Sequence, residues 1–339
     1  MKKIISAVLV LLLIMGLSMG LAACGGQEPE GNADPGTEAT TEEEAGGLIK
    51  VGIINNPPEE SGYRAANVKD FQETFTDTNG YDASFAYSLK FEEQLASFNQ
   101  FVTDGVDYIL LSAAATDGWD SAFETAKEAG IQILLFDRMV SADESLYEAA
   151  VVSDMAEEGN TAVAWLTDQK LKEYNVIHIQ GVMGSDAQIG RTAALDKEFA
   201  AGTMKKVVQQ TGNWSDAEAK TIVEAVINAK TPFNVIYAEN DNMAQGAAQA
   251  LDAAGITHGV KGDVVIMGFD CNKWALEELL AGNWNYDGQC SPFQAKVIDG
   301  IIKGLQAGTP PAEKKIISEE KGFDATTITQ EDVDTYGLG

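Results

Sequence analysis

The sequence is poor in the residues that staple small folds and hold metals. Its 339 residues include three cysteines and two histidines. Cys24 sits near the start, so only Cys271 and Cys290 remain for the folded part, too few for a disulfide framework. His178 and His258 are far apart and lack ligand-like spacing, so no zinc centre is expected, and no cofactor either. Basic residues are also scarce: 23 Lys and Arg stand against 52 Asp and Glu, a net charge of −29. Phosphate recognition needs clustered cations, so the charge argues against a nucleic-acid surface and against adsorption on anionic lipid.

What is present begins with an address. Lys2 and Lys3 precede the apolar run Ile4 to Met19, and Leu21-Ala22-Ala23-Cys24 follows. A basic start, an apolar run too short for a comfortable span and a small-residue exit make a secretory signal. The exit resembles the lipobox of bacterial lipoproteins, which implies that Cys24 is lipidated and becomes the mature N-terminus. Residues 1–23 are then the signal peptide. Residues 24–47, rich in Glu, Gly, Thr and Ala, are the lipidated Cys and an acidic, disordered tether.

From Leu48 onward short β-branched runs alternate with longer amphipathic segments. The rhythm restarts after Tyr147 to Ser153, giving too many strands for one sheet. The expected class is α/β: two doubly wound parallel-sheet (Rossmann-like) domains joined by a multi-strand hinge. There is no Gly/Pro/Ser-rich linker at the restart, so the chain is expected to cross directly between domains.

Ligands of open α/β sheets bind beyond the carboxyl ends of the strands. The apolar run Ile133 to Phe136 ends abruptly at Asp137-Arg138, an acceptor beside a planar fork of donors. Other strand ends deliver Asn55 to Arg64, Ala113 to Trp119, Gly181 to Arg191, Gly212 to Trp214, Glu239 to Asp241, Asp270 and Gln289. Aromatic faces interleaved with Asp, Asn, Arg and Gln suit a buried polyol, whose hydroxyls must all keep partners once water leaves.

Several of these segments carry a family resemblance: Glu60-Ser61-Gly62-Tyr63-Arg64, Gly105-Val106-Asp107, Asp137-Arg138, Tyr237 to Met243 and Gly268-Phe269-Asp270. With them the chain, from Leu48 to its end, resembles the type I periplasmic sugar-binding proteins of ABC transporters, of the ribose- and galactofuranose-binding kind. The resemblance implies that Glu60, Ser61, Gly62, Tyr63 and Arg64 form a loop over the ligand. Asp137 and Arg138 would clasp vicinal hydroxyls, and Arg191, Asn240 and Asp270 would face them from the other domain. Trp214, Gln289 and Trp119 complete the expected set. Two departures stand out: Tyr63 where the family often has Trp, and Gly190 where it often has an acid before Arg191. The second implies fewer hydrogen bonds at that corner.

The family topology also implies the domain composition: 48–153 plus 290–313 for the N-terminal sugar-binding lobe, and 154–289 plus 314–339 for the C-terminal one. The final crossing is expected near Lys314 to Glu319. A monosaccharide would close the lobes, and the closed form would be recognised by the permease subunits of an ABC transporter. The protein would be a monomer on the outer face of the bacterial cytoplasmic membrane. Cys271 and Cys290 would both lie at the hinge, either bridged or as two buried thiols. A glycosidase is disfavoured because Arg138 would lower the pKa of Asp137 and spoil a general acid. A sugar-responsive repressor would need a basic DNA-binding start in place of an export signal. Asp77 to Asp82 is not a calcium loop, since Tyr81 breaks the ligand spacing. The same fold presenting a furanone signal or a nucleoside to a chemoreceptor remains the alternative.

Overall fold

The computed structural model describes residues 47–339. The segments expected to be signal peptide, lipidated Cys24 and tether lie, up to residue 46, outside the described residues.

The first sheet forms from inner strands that are apolar on both faces and a more exposed edge strand, Tyr81–Tyr87. They are β1 (Ile49–Asn55), β2 (Tyr81–Tyr87), β3 (Tyr108–Leu111), β4 (Gln132–Asp137) and β5 (Ala149–Val152). Helices α1 (Gly62–Thr74), α2 (Phe91–Asp104) and α3 (Asp120–Glu128) connect the first four. Ile109, Leu111, Ile133 and Leu135 pack under α2 and α3, while Leu110, Leu134 and Phe136 face the opposite layer. Burial on both faces is why β3, β4 and β5 read as continuous apolar runs rather than alternating ones. Gly130, just past α3, takes φ +79, the left-handed conformation that ends the helix without a Cβ clash.

The second sheet repeats the plan. Its strands are β6 (Asn175–Gln180), β7 (Lys205–Thr211), β8 (Val235–Ala238), β9 (Val265–Asp270) and β10 (Tyr286–Gln289). Around them lie α4 (Met155–Asp168), α5 (Asp186–Ala201), α6 (Asp216–Asn228), α7 (Asp241–Ala254) and α8 (Lys273–Leu280). The chain then runs through α9 (Ala295–Gln306), β11 (Lys315–Ile317), β12 (Gly322–Asp324) and α10 (Gln330–Tyr336). The strand orders are β11-β5-β4-β3-β1-β2 and β12-β10-β9-β8-β6-β7, all parallel except β12 against β10. The strand order therefore reverses beside β1 in one sheet and beside β6 in the other. Those switch points face each other across the cleft.

The final crossing differs from the expectation. Lys315, Ile316 and Ile317 pair in parallel with Ala150, Val151 and Val152, so they belong to the first sheet, not the second. Three residues are too short for a periodic signal, and their place is set by the open edge of β5. The chain therefore changes sheet over 318–321, as it does at 153–154 and 290–294. Helix α4 starts at Met155, ahead of Asn160, where the apolar pattern alone begins a helix running to Leu171. Asp154 caps it by accepting from Glu157 N at 3.0 Å, and the polar first turn hid that start.

Candidate functional site

Asp137 ends β4 with φ +65, and the strained turn aims its carboxylate across the strand ends. Its Oδ1 accepts from the Tyr63 hydroxyl at 2.8 Å. Its Oδ2 accepts from Arg64 Nη2 and from Ser112 Oγ, each at 2.7 Å. Burial alone would raise its pKa, but the charges of Arg64 and Arg138 and the hydrogen bonds outweigh this and hold it at about 2. It is a fixed carboxylate, unable to act as a general acid.

Arg64 is fully buried and nearly saturated by the protein. Besides Asp137, it reaches Glu60 Oε2 at 3.1 Å, Asn55 Oδ1 at 2.7 Å and Asn67 Oδ1 at 3.1 Å. Ser61 caps α1 by accepting from the Arg64 backbone at 3.2 Å, which fixes where this side chain starts. Arg138 differs sharply. Its Nη1 has only the Ala113 carbonyl at 3.5 Å, its Nε lies 3.4 Å from Asp137 Oδ2, and Nε has no hydrogen-bond partner among the described residues.

The facing wall comes from the second sheet. Arg191 on α5 is held by Glu158 Oε2 at 2.7 Å and by the Glu239 carbonyl, and its guanidinium lies over Phe269 at 4.6 Å. Asp270 ends β9 at φ +112, with Arg191 Nη2 at 3.7 Å. Burial pushes the Asp270 carboxyl up, against the pull of Arg191. Asn240 spends its oxygen capping α7, accepting from Met243 N at 2.9 Å, while its amide has only a long bond to the Trp214 carbonyl at 3.5 Å. Trp214 stands at φ +64 with its ring 5.9 Å from the Arg138 guanidinium on the other lobe. Its indole N–H is buried without a partner among the described residues.

These groups wall one cavity, together with Met155, Ala187 and Cys290. About 300 Å³ between them is free of atoms, yet only about 20 Å³ admits the centre of a water-sized sphere, so the walls stand close together. Two hydrogen bonds join the lobes at the rim: Thr116 N to the Gly184 carbonyl at 3.1 Å, and Met139 N to Asp186 Oδ2 at 2.9 Å.

Of the expected residues, Glu60, Ser61, Tyr63, Arg64, Asp137, Arg138, Arg191, Trp214, Asn240 and Asp270 come together there. Three do not. Trp119 is fully buried in the core of the first lobe, edge-on to Phe91 at 5.1 Å, with its N–H donated to the Ala115 carbonyl. Its position at a strand-to-helix junction suggested the cleft, but the apolar side of α2 claims the ring. Gln289 lines a groove behind the hinge beside Glu319 and Lys321. Gly62 is a spacer: a Cβ there would sit 1.8 Å from Asn272 Oδ1 of the facing lobe. Gly190 likewise presses α5 onto the Met155 backbone, where a Cβ would come within 2.5 Å. The acid that the sequence lacks beside Arg191 arrives instead from Glu158 of α4. Ser112, Asn67 and Glu158 were missed because each acts through another side chain. The strand-end rule applied to β3 would have reached Ser112. Cys271 and Cys290 are both buried and free.

The periplasmic binding protein domain model matches residues 51–314. The fructose import binding protein of Bifidobacterium longum is 31% identical over 92% of each chain. The galactofuranose-binding protein of Escherichia coli is 28% identical, covering 80% of this chain and 87% of that one. A structure from Mycobacterium smegmatis in complex with β-D-fucofuranose superposes with a TM-score of 0.76 at 28% identity, covering 82% of this chain and 92% of that one. Two switch-point sheets facing one polar cleft, with a match over most of the chain, give the assignment: it belongs to the periplasmic binding protein family, whose members bind solutes and are not enzymes.

Proposed function

We propose that the protein captures a monosaccharide, in furanose form, between its two lobes and delivers it to an ABC permease outside the cytoplasmic membrane, held there by a lipid on Cys24. The observation that carries this reading is the uneven satisfaction of the cleft. Arg64 and Arg191 are consumed by protein acceptors, whereas Arg138 and Asp270 on the cavity wall have little to bind, and the N–H of Trp214, another wall residue, is buried without a partner among the described residues. Buried donors and acceptors of both kinds, placed on opposite walls beside an indole face, match a small neutral polyol. The solutes named for the three relatives above include two furanoses and fructose, a sugar that itself populates furanose rings.

Asp137 would accept from one hydroxyl while Arg138 donates to its neighbour, and Asp270 and Asn240 would engage the sugar from the second lobe. A ligand touching both walls favours the closed form in proportion to its differential affinity. Asp137, held ionised, offers an acceptor and no proton, in keeping with capture without chemistry.

The test is a thermal-shift panel on the chain from residue 47 onward, with pentoses, hexoses, furanose-rich mixtures, inositols, nucleosides and furanones. A ligand at about a hundredfold its dissociation constant adds about 2.7 kcal/mol. A sugar hit that vanishes in Arg138→Ala supports the reading. A hit only with nucleosides or a furanone would overturn the sugar assignment.

A further inference from the structure

The three crossings meet at one carboxyl group. Glu320, on the last crossing, accepts through Oε1 from Ser153 Oγ of the first at 2.6 Å and from Ser291 N of the second at 2.7 Å. Beside it stand Glu158 at the start of α4 and the Cys290 thiol, with one polar atom from each of the three within 4.8 Å of the others. Glu158 spends Oε2 on Arg191, and its buried Oε1 has no partner among the described residues. Two carboxylates cannot share so dry a site unless something positive lies between them.

We propose that Glu320 is a positioning residue for closure: with Oε1 engaged by both neighbouring crossings, its Oε2 carries a proton to Glu158 Oε1, and this shared proton sets the angle of the hinge. Glu158 in turn holds Arg191, a wall of the sugar cavity, so the pin is linked to the ligand through two side chains. This extends the sugar-capture reading and rests on it for its effect on affinity.

The surrounding charges agree. Burial and the charge of Glu158 push Glu320 up to about 8, and burial also raises Glu158 against the pull of Arg191. Burial and both glutamates keep the Cys290 thiol neutral. The nearest cation along the chain, Lys321, is turned away over Tyr336 at 4.1 Å and toward Asp332 at 3.3 Å. On the outer side the groove presents Asp154, Glu157 and Glu319, none of them able to neutralise a second carboxylate. Asp270 lies beyond Arg191 and competes for it. A proton is therefore the available positive charge.

The test combines two readouts. In the sugar-free protein, carbon-13 NMR of the glutamate carboxyls should show one group titrating near pH 8 that disappears in Glu320→Gln. Its absence overturns the shared proton whether or not any sugar binds. With the sugar found above, wild-type affinity should weaken about tenfold from pH 7 to pH 9 as the proton leaves. Glu320→Gln, whose amide keeps both acceptor bonds and a donor toward Glu158, should hold near wild-type affinity with a flat profile. Glu320→Ala should bind weakly throughout. A glutamine variant with the wild-type slope, or one as weak as alanine, overturns the proposal. Uptake of Zn2+ by EDTA-treated protein, lost in Cys290→Ser, overturns it too, by putting a metal where the proton is placed. Failure of every sugar with the carboxyl titration intact sinks the sugar reading and leaves the proton standing.

Discussion

Asp186, the first residue of α5, accepts the backbone N–H of Met139 across the cleft at 2.9 Å. Neither residue lines the cavity. The bond exists only while the lobes are together, so it weights closure without touching the ligand. A hydrogen bond to a charged group contributes about 1.5–3 kcal/mol, less here because the carboxylate is not wholly buried. Asp186→Ala should therefore raise the dissociation rate of bound sugar about tenfold and leave association nearly unchanged, by stopped-flow displacement. Asp186→Asn, which retains an acceptor, should fall between. A change confined to the association rate would refute the latch.

The two arginines of the first lobe should separate stability from binding. Arg64→Ala strands Asp137 and Glu60 as buried charges and should cost about 3–5 kcal/mol in urea unfolding. Arg138→Ala should change unfolding by less than about 1 kcal/mol and weaken sugar binding by two orders of magnitude or more. If the two variants behave alike, the division drawn from their hydrogen bonds is wrong.

Asp241 and Asp287 form a second buried acid pair, beneath the floor of the second lobe. Both oxygens of Asp287 and Oδ1 of Asp241 have no partner among the described residues. Burial raises both carboxyls, and mutual repulsion adds to the rise at Asp241. A carboxyl raised in the folded state contributes stability that is complete below its unfolded pKa of about 3.9 and is lost as pH rises through the folded value. Asp137, held at about 2, works the other way: its contribution is present above about 3.9 and vanishes as pH falls through 2. Asp287→Asn supplies a permanent donor to Asp241, so it should raise the melting temperature, and more at pH 8 than at pH 5. A larger gain at pH 5 would contradict the shared-acid account.

Gly190→Ala should destabilise by about 1–3 kcal/mol, because the new methyl meets the backbone of α4 and not a side chain that can rotate away. Calorimetry would detect this. A neutral result would mean that α4 and α5 can slide apart freely.

The alternation of apolar runs and amphipathic segments made both sheets legible, and the strand-end rule gathered the stretches that hold the ten cavity residues, which the family resemblance then singled out. What it missed depends on relations that no spacing encodes. Trp119 follows a strand end just as Trp214 does, yet Phe91 and Phe98 draw one ring into the core while the other, at a positive φ, lines the cavity. Glu158 reaches Arg191 through the packing of two helices, made possible by Gly190 having no side chain. Strand β11 is three residues long, and only the vacant edge of β5 gives it a place.

That short strand also constrains how the molecule is made. The first sheet lacks its outer strand until Lys315 to Ile317 have left the ribosome, and α9, which covers one face of that sheet, arrives hardly sooner. The second sheet waits for β12, later still. Neither sheet is complete before β11 and β12 have been made, and β5 pairs with β11 across about 160 residues of intervening chain. Until residues 315–324 emerge, both sheets keep an open edge, so each lobe closes late and through contacts distant in sequence.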